Sequence, residues 1–290
     1  MLTVFTPAYN RAHLLSCLYN SLLDQTCKNF IWLIVDDGST DGTEDLIRSW
    51  QGKDNGFEIR YVYKENGGMH TAHNLAYDNI KTELNVCIDS DDHMPDCAVE
   101  LIHRIWKEAR DDSLAGLVGL DVDTNRKLIG SRFKQDEKRV TLSGFYGYGG
   151  RGDKKLVLRT DVVNQYPRYP EYQGEKLVPL GTLYTLIDQD YELLTVNQPL
   201  VIVDYQEGGS SSTIFRQYRE SPRGFSYARI VDMRHGVVFK KRLISAVHYV
   251  SSSLFEKNIN CLSNSPKKGL TLLAVIPGVL LNFYIRLKTR

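Results

Sequence analysis

Thirteen residues constrain this chain more than any others: Leu84 to Asp96, reading LNVCIDSDDHMPD. An apolar run ends there in three carboxylates, Asp89, Asp91 and Asp92. Carboxylates packed this closely repel one another and cannot all be buried without compensation. A hard divalent cation is the usual compensation, with a diphosphate as its usual partner. The run itself reads as a β-strand, and the apolar positions beyond Asp96 read as a helix. The carboxylates therefore fall at the carboxyl end of a strand, where open α/β sheets bind ligands. Alone, the same residues would also suit a plain turn with Asp96 as a helix cap.

The surrounding chain repeats this strand-then-loop-then-helix pattern. Leu2 to Phe5 is β-like and breaks at the polar loop Thr6 to Arg11; Leu14, Leu15, Leu18, Leu22 and Leu23 then recur at helical spacing. Phe30 to Val35 is a buried strand ending in Asp36-Asp37-Gly38-Ser39-Thr40-Asp41-Gly42, with Asp41 or Thr43 placed to cap the next helix. Ile59 to Tyr63 is a third strand, followed by the loop Lys64 to Gly68 and a helix over His70 to Asp78. Leu84 to Ile88 is the fourth strand, and Leu114 to Leu120 returns as another. Such alternation with short loops predicts an α/β fold built on a mostly parallel sheet flanked by helices. No GxGxxG follows the first strand, and no GxxxxGK[ST], HExxH, nucleophile elbow or zinc-like cysteine spacing occurs, which argues against nicotinamide enzymes, P-loop nucleotidases and zinc hydrolases.

Beyond Asp121 the alternation weakens. Gly144 to Gly152 crowds glycines around Tyr146 and Tyr148, as a surface excursion or a segment packed over a ligand would. Leu193 to Val196 and Val201 to Val203 read as two strands around a turn at Asn197 to Pro199. Gly208 to Thr213 reads as a flexible polar loop, Thr213 as a helix cap, and Ser226 to Phe255 as a longer helical zone. Residues 216–290 hold 14 Lys or Arg against 3 Asp or Glu, and the preceding chain holds 22 against 32. A basic tail on an acidic body points to a polyanion, an anionic membrane surface, or pairing with the body itself. Within that tail, Leu270 to Ile285 is apolar, about 24 Å long as a helix, and carries Pro277-Gly278. It is too short for a membrane crossing and is flanked by Lys267, Lys268, Arg286, Lys288 and Arg290, so it is expected to lie in a membrane interface rather than dock on the body. The five cysteines are odd in number and form no CxxC pair, which implies a reducing compartment, with Cys17 and Cys87 as buried thiols. The N-terminus begins in strand-like residues and is expected to lack a signal peptide.

Five segments taken together carry a resemblance: TVFTPAYNR from Thr3, SLLDQT from Ser21, IVDDGSTDGT from Ile34, KENGGMHTAHN from Lys64 and CIDSDDHMPD from Cys87. In this order, each at an expected strand tip or helix, they resemble family 2 glycosyltransferases of the GT-A fold, the kind that builds bacterial surface polysaccharides. The resemblance covers roughly residues 1 to 120. It implies a nucleotide-diphosphosugar donor, most simply a UDP-sugar, transferred with inversion to a hydroxyl of a glycan or lipid-linked glycan. It implies that Pro7, Tyr9, Asn10 and Arg11 wrap base and ribose, that Asp37 contacts the nucleoside with support from Asp36, and that Asn66, Gly67 and Gly68 approach the nucleotide. Asp91 and Asp92 would together take Mg²⁺ or Mn²⁺, with Asp91 also reaching the donor and Asp89 assisting. The family places its general base in a later acidic motif, often an ED pair; here that pair is missing and Glu175 in GEKLVP stands nearest, with Asp188 and Asp190 in reserve.

Other side chains have plainer readings beside functional ones. His70 and His73 suit the diphosphate side or an ordinary helix surface, and a DxD-type site needs no histidine. Arg132, Lys134, Lys154 and Lys155 suit donor phosphates or solvent, and Trp32 suits the core. The expected organisation is a GT-A domain over 1–215, with a nucleotide-sugar half to 120 and an acceptor-facing half to 215, then a basic helical region over 216–290. The expected location is the cytoplasmic face of the inner membrane or the cytoplasm, with no nucleic-acid partner. Two rival readings are a nucleotidyltransferase, which lacks a basic glycine-rich signature after the first strand, and a non-catalytic glycan-binding scaffold, against which the intact Asp37, Asp91 and Asp92 argue.

Overall fold

A computed structural model describes residues 1–206 and 213–290. Residues 208–212 of the polar loop expected from sequence lie outside the described residues. The chain forms two compact units: Met1–Thr141, Tyr148–Tyr166 and Asp190–Gln206 make the first, and Leu142–Gly147, Pro167–Gln189 and Glu207–Arg290 the second. These divisions fall at other places than 120 and 215.

The first unit is built on one eight-stranded sheet. Its strands are β1 (Leu2–Ala8), β2 (Phe30–Asp36), β3 (Glu58–Tyr63), β4 (Leu84–Cys87), β5 (Leu114–Asp123), β6 (Arg139–Val140), β7 (Lys154–Arg159) and β8 (Glu192–Val203). They lie in the order β3-β2-β1-β4-β7-β5-β8-β6. β7 runs antiparallel to β4 and β5, and β6 antiparallel to β8; the other pairs are parallel. Helices α1 (Leu15–Leu23), α2 (Thr43–Gln51), α3 (Met69–Asn79) and α4 (Ala98–Ala109) connect the first five strands. α5 (Leu142–Gly147) belongs to the second unit, and the short α6 (Thr160–Val163) follows β7. This is the mixed, mostly parallel, helix-flanked sheet expected from the alternation. The chain goes from β1 outward to β2 and β3, then returns to β4 on the other side of β1, which makes the β1–β4 boundary the topological switch point.

Burial explains the placement. Every residue of β1 and β2 is buried, as an unbroken apolar run requires of a central parallel strand. β3, at the edge, buries only Ile59 fully. Leu15, Leu18 and Leu22 form the inward stripe of α1; Val99, Leu101 and Ile102 do the same for α4. Cys17 falls off that stripe and is exposed, which corrects its expected burial. Trp32 is core, as expected: it is fully buried, donates from Nε1 to Thr6 Oγ1 at 3.0 Å, and lies in a stack with Tyr19 and Trp50. The two strands expected around Pro199 are one twelve-residue strand. Pro199 lacks an N–H for the ladder, and it sits where the β5–β8 register shifts between Val118 and Leu120.

The second unit is helical: α5, α7 (Gly181–Ile187), α8 (Ile214–Glu220), α9 (Pro222–His235), α10 (Phe239–Glu256), α11 (Cys261–Asn264), α12 (Lys268–Leu273) and α13 (Val275–Lys288). The helical zone expected over 226–255 is two helices that part at Gly236, and Pro222 starts α9 at a position whose N–H would be unpaired in any case. Thr213 does not cap α8 through its side chain. Met233, Ala246, Tyr249, Val250 and Ala274 form the core of this unit. The apolar tail segment breaks at Ala274, and Pro277 lies in the first turn of α13, where proline is tolerated. α13 docks on α10 through Gly278, Asn282 and Ile285, spaced four and three residues apart. A Cβ on Gly278 would meet Val250 Cβ at 2.5 Å, so the two helices approach too closely for any larger residue. Among the described residues, no helix is long and apolar enough to cross a membrane.

Candidate donor site at the carboxyl edge of the sheet

The loops after β1, β2 and β3 are tied to one another by side chains that the sequence reading had assigned to the nucleotide. Asn10 adopts left-handed backbone (φ 54°). Its N–H donates to Ser39 Oγ at 2.8 Å, and its Oδ1 accepts from Thr40 N at 2.8 Å. The Arg11 N–H donates to Thr43 Oγ1 at 3.3 Å. Pro7 is buried within β1, and Tyr9 is exposed at the tip. Asp36 is buried at the end of β2 and accepts from Tyr61 Oη at 2.7 Å and from Ser39 N at 2.8 Å. Burial, with Asp36 alongside, raises the Tyr61 hydroxyl well above its ordinary pKa.

Asp37 is the most heavily bonded of these residues. Its Oδ1 accepts from Lys64 Nζ at 2.7 Å and Gly67 N at 2.9 Å, and its Oδ2 from Gly68 N at 2.8 Å and Asn66 Nδ2 at 3.1 Å. Those four donors use about all the lone-pair directions a carboxylate has. Asp37 thus fastens the Asn66-Gly67-Gly68 loop to the end of β2. Gly38 makes the approach possible: it sits at φ +85°, and a Cβ there would stand 2.7 Å from Asn66 N.

The tip of β4 carries the acidic cluster. Asp92 is buried, accepts from Asp204 N at 3.2 Å, and donates its own N–H to Asp89 O at 3.1 Å. Burial and the neighbouring carboxylates push its carboxyl up to about 7. Asp91 is half-buried and raised for the same first reason, with Arg11 close enough to oppose the shift. Two backbone bonds between His93 and Ile202 lock the tip against β8. Three further residues converge here that the sequence reading did not assign to the cluster. Asp121 in β5 is buried, its Oδ1 has no partner among the described residues, and burial raises its carboxyl to about 6. Asp204 follows β8. Lys155 enters from β7, which runs the other way and so brings its first residues to this edge. Burial alone would lower the Lys155 ammonium, but Asp89, Asp121 and Asp92 outweigh it and raise it; its Nζ also donates to Cys87 O at 3.2 Å. Asp121 and Asp204 had a signal in sequence: each is an acid inside or directly after an apolar run, LVGLDV and LVIVD, as Asp36 and Asp89 are.

Other expectations resolve differently. His70 and His73 are both buried, so neither is a helix-surface histidine. His73 packs edge-on against Phe5, lies 3.6 Å from Cys87 Sγ, and burial holds its imidazole down to about 4, in the neutral form. Arg132 donates to Asn197 O, Lys134 pairs with Glu137, and Lys154 Nζ donates to four backbone carbonyls, Ile129, Arg151, Gly152 and Asp153, with Asp121 near it; Lys155 lies among Asp89, Asp92 and Asp121. Asp96 precedes α4 without capping it through a side chain. The glycine-rich stretch contains a short helix, α5, whose Leu142 and Ser143 N–H groups donate to Asp188 at 2.9 and 2.6 Å. Asp190 accepts from Tyr166 Oη at 2.8 Å. Glu175, in the second unit, accepts from Arg223 N at 3.1 Å, Arg223 Nε at 2.9 Å and Gly224 N at 2.9 Å, at the start of α9.

Among the described residues, no three His, Cys, Asp or Glu side chains form a group placed to hold a metal ion. Mg²⁺ and Mn²⁺ sites that complete their shells with water and phosphate oxygens need only one or two carboxylates. Asp91 and Asp92 fit that requirement: both are oxygen donors, and a buried Asp92 pushed toward neutrality is a carboxylate that a cation would stabilise in its charged form.

The Asp37 bonds make a direct prediction. Asp37→Ala leaves two backbone donors and Lys64 without their acceptor and should lower stability by about 3 kcal/mol, read by urea unfolding. Hydrogen exchange at Gly67 and Gly68 should rise. Unchanged protection at those two amides would show that the latch is not needed.

The comparisons with known proteins agree with this geometry. The profile described as Glycosyl transferase family 2 matches residues 3–166. Glycosyltransferase GlyA of Streptococcus pneumoniae serotype 4 is 30% identical over 115 residues, 40% of this chain and 16% of its own length. The chain thus spans a small part of that relative. The structure of S. aureus TarS 1–349 in complex with UDP-GlcNAc aligns over 99% of this chain and 88% of its own, with a TM-score of 0.63 at 17% identity. The mannosyltransferase PcManGT from Pyrobaculum calidifontis, in complex with GDP-Man and Mn²⁺, aligns over 98% and 87% with a TM-score of 0.54 at 16% identity. These two show a shared GT-A-like fold. With a family profile covering more than half its length and a mixed sheet that gathers acidic strand tips at one edge, the chain belongs to glycosyl transferase family 2.

Proposed function

We propose that the chain is a metal-dependent, inverting glycosyltransferase that moves a sugar from a UDP-linked donor to a hydroxyl of a glycan or lipid-linked glycan. The observation that carries this reading is the convergence of Asp89, Asp91, Asp92, Asp121 and Asp204 with Lys155 at the switch-point edge of the sheet. Complexes of TarS with UDP-GlcNAc and of PcManGT with GDP-Man and Mn²⁺ support a nucleotide-sugar donor and a divalent ion for the same fold. In this reading Asp91 and Asp92 hold Mg²⁺ or Mn²⁺, with Asp89 behind them. The ion, when bound, neutralises charge developing on the leaving diphosphate. Pro7, Tyr9, Asn10 and Arg11 surround base and ribose, while Asp36 and Asp37 act mainly by setting the Asn66-Gly67-Gly68 loop at the nucleotide.

We assign the general base to Glu175, which takes the proton of the acceptor hydroxyl. Its bonds to the Arg223 and Gly224 N–H groups orient the carboxylate. Arg223, 38% exposed at its side chain, also donates to Gln173 O and lies over the Tyr172 ring, so in this reading its Nε must release Glu175 for a lone pair to open.

The exposed face of α12 and α13 supports a place at the cytoplasmic face of a membrane. Leu272, Leu273, Ile276, Leu280, Phe283 and Leu287 are each more than half exposed, beside Lys267, Lys268, Arg286, Lys288 and Arg290. The opposite face is the Gly278, Asn282 and Ile285 stripe against α10, so the helix is docked and still offers an apolar surface.

Three outcomes are expected. Hydrolysis of a UDP-sugar should require Mn²⁺ or Mg²⁺, and Asp92→Ala should reduce it by about a hundredfold or more at unchanged far-UV circular dichroism; metal-independent turnover would refute the metal assignment. Glu175→Gln should reduce transfer by about a hundredfold or more while donor affinity, measured by calorimetry, stays within about twofold; equal transfer would put the base elsewhere. The triple change Ile276→Ser, Leu280→Ser and Phe283→Ser leaves the docked stripe intact and should move the protein from anionic vesicles to the supernatant in a sedimentation assay. Unaltered sedimentation would refute the membrane face.

A further inference from the structure

A cavity of about 350 Å³ opens within the second unit, between α5, α7, α9 and α10. The donor site described above uses none of its residues. Its lining is mixed. Tyr146 and Tyr184 supply aromatic rings, Ser245 a hydroxyl, and Arg229, Asp232 and Lys241 the charges. Tyr146 comes from the glycine- and tyrosine-rich stretch to which the donor site gives no role.

The charges do not cancel. Arg229 donates from Nη1 to Asp232 Oδ2 at 3.1 Å, and Ser245 Oγ donates to the same oxygen at 3.1 Å. Asp232 is the one carboxylate among the described lining residues, against two cations. Lys241 makes no ion pair among the described residues and lies 5.8 Å from the Tyr146 ring centroid. Packing lowers its ammonium despite Asp232 nearby, so its charge is incompletely compensated. Arg229 Nε is buried without a partner among the described residues, an arrangement that ordinarily costs about 1–3 kcal/mol. An arginine fixed at Nη1 by a carboxylate keeps its guanidinium in place, and its charge suits a second carboxylate beside it.

We propose that this cavity binds a sugar residue bearing one carboxylate, a hexuronate, with Arg229 and Lys241 holding the carboxylate and Tyr146 and Tyr184 packing on the ring. A single negative charge balances the excess in the lining, and a volume near the lower end of ordinary ligand cavities suits one pyranose rather than an oligosaccharide. Aromatic faces beside a hydrogen-bonding rim suit a ring with an apolar face and an equatorial set of hydroxyls. As a subsite for the acceptor glycan the assignment rests on the glycosyltransferase reading; the binding of the anion does not.

The test uses the full chain with sodium glucuronate, glucose and inorganic phosphate as separate probes, followed by saturation-transfer NMR and calorimetry. Glucuronate should bind about tenfold or more tightly than glucose, since only it engages the cations. Arg229→Gln should weaken glucuronate about tenfold or more. Because that change also leaves Asp232 unpaired, a second variant is needed. Gly181 lines the same cavity at the start of α7, and a Cβ there would meet nothing within 4 Å. Gly181→Leu adds a bulky side chain among the lining residues without strain and should weaken glucuronate binding about tenfold or more while the thermal midpoint stays put. Equal binding of glucose and glucuronate, stronger binding of phosphate than of glucuronate, or a Gly181→Leu protein that binds as before would each overturn the assignment. Donor hydrolysis of the unaltered protein, run in parallel, separates the two readings. Glucuronate binding without nucleotide-sugar turnover would leave the cavity standing and remove the transferase reading. Turnover without glucuronate binding would do the reverse.

Discussion

Repulsion among carboxylates at one edge of the sheet is the constraint around which the first unit is organised. Parallel strands point their carboxyl ends the same way, so every acid placed at a strand tip meets the acids of its neighbours. Asp89, Asp91 and Asp92 arrive from β4, Asp121 from β5 and Asp204 from β8. Burial first, and the neighbouring carboxylates after it, raise the carboxyl groups of Asp92 and Asp121. Lys155 offsets part of it, and it reaches the edge only because β7 runs backwards between β4 and β5. One antiparallel strand in a parallel neighbourhood thus places a cation where an all-parallel sheet would present another carboxyl end.

Holding such a cluster requires a rigid frame, and the frame is the apolar sheet behind it. β1 and β2 are buried along their whole length, and the leucine stripe of α1 with the valine, leucine and isoleucine of α4 covers the sheet. Burial of side chains of that size stabilises by roughly 1.5–3 kcal/mol each, which gives the fold room to carry unfavourable charge at its edge. The loops receive their own fastening. Asp37 gathers four donors, Asp36 takes the Tyr61 hydroxyl, and Gly38 lets the two chain segments touch. Residues that a motif assigns to a ligand therefore do double duty, since a preformed nucleotide cleft must first hold itself together.

The second unit follows another logic. Its helices meet through small residues and buried polar bonds: Gly278 against Val250, Asn282 Nδ2 to Ser251 O at 3.0 Å, Gly224 against Leu177 O. Close backbone approach at Gly278 leaves no inward space for a side chain there, and Leu280, Phe283 and Leu287 of α13 face outward while Ile285 is buried. One helix thus supplies both the tight contact with α10 and an exposed apolar surface. Glu175 shows a similar economy, because the carboxylate assigned to proton transfer also satisfies the first N–H groups of α9.

Much of this was legible in the residues. The alternating apolar runs specified the first five strands, their order of appearance and the helices between them, because periodicity is a local property that survives into the folded state. The acidic tips Asp36, Asp37, Asp89, Asp91 and Asp92 were legible for the same reason, each directly following a run too apolar to be anything but buried. Local pattern failed where a long-range partner decided the outcome. Pro199 read as a turn, yet β5 draws it into a continuous strand through a register shift. Cys17 read as buried, yet it falls off the stripe of Leu15, Leu18 and Leu22 that α1 turns inward. The roles of Asp121, Asp204 and Lys155 depend on strand neighbours more than thirty residues away in the chain, and on the reversed direction of β7. Sequence by itself determined which segments become strands and which of them end in charge. Only the tertiary structure decided which of those charges meet, because strand order and direction are settled by packing between segments and leave no period in the chain to read.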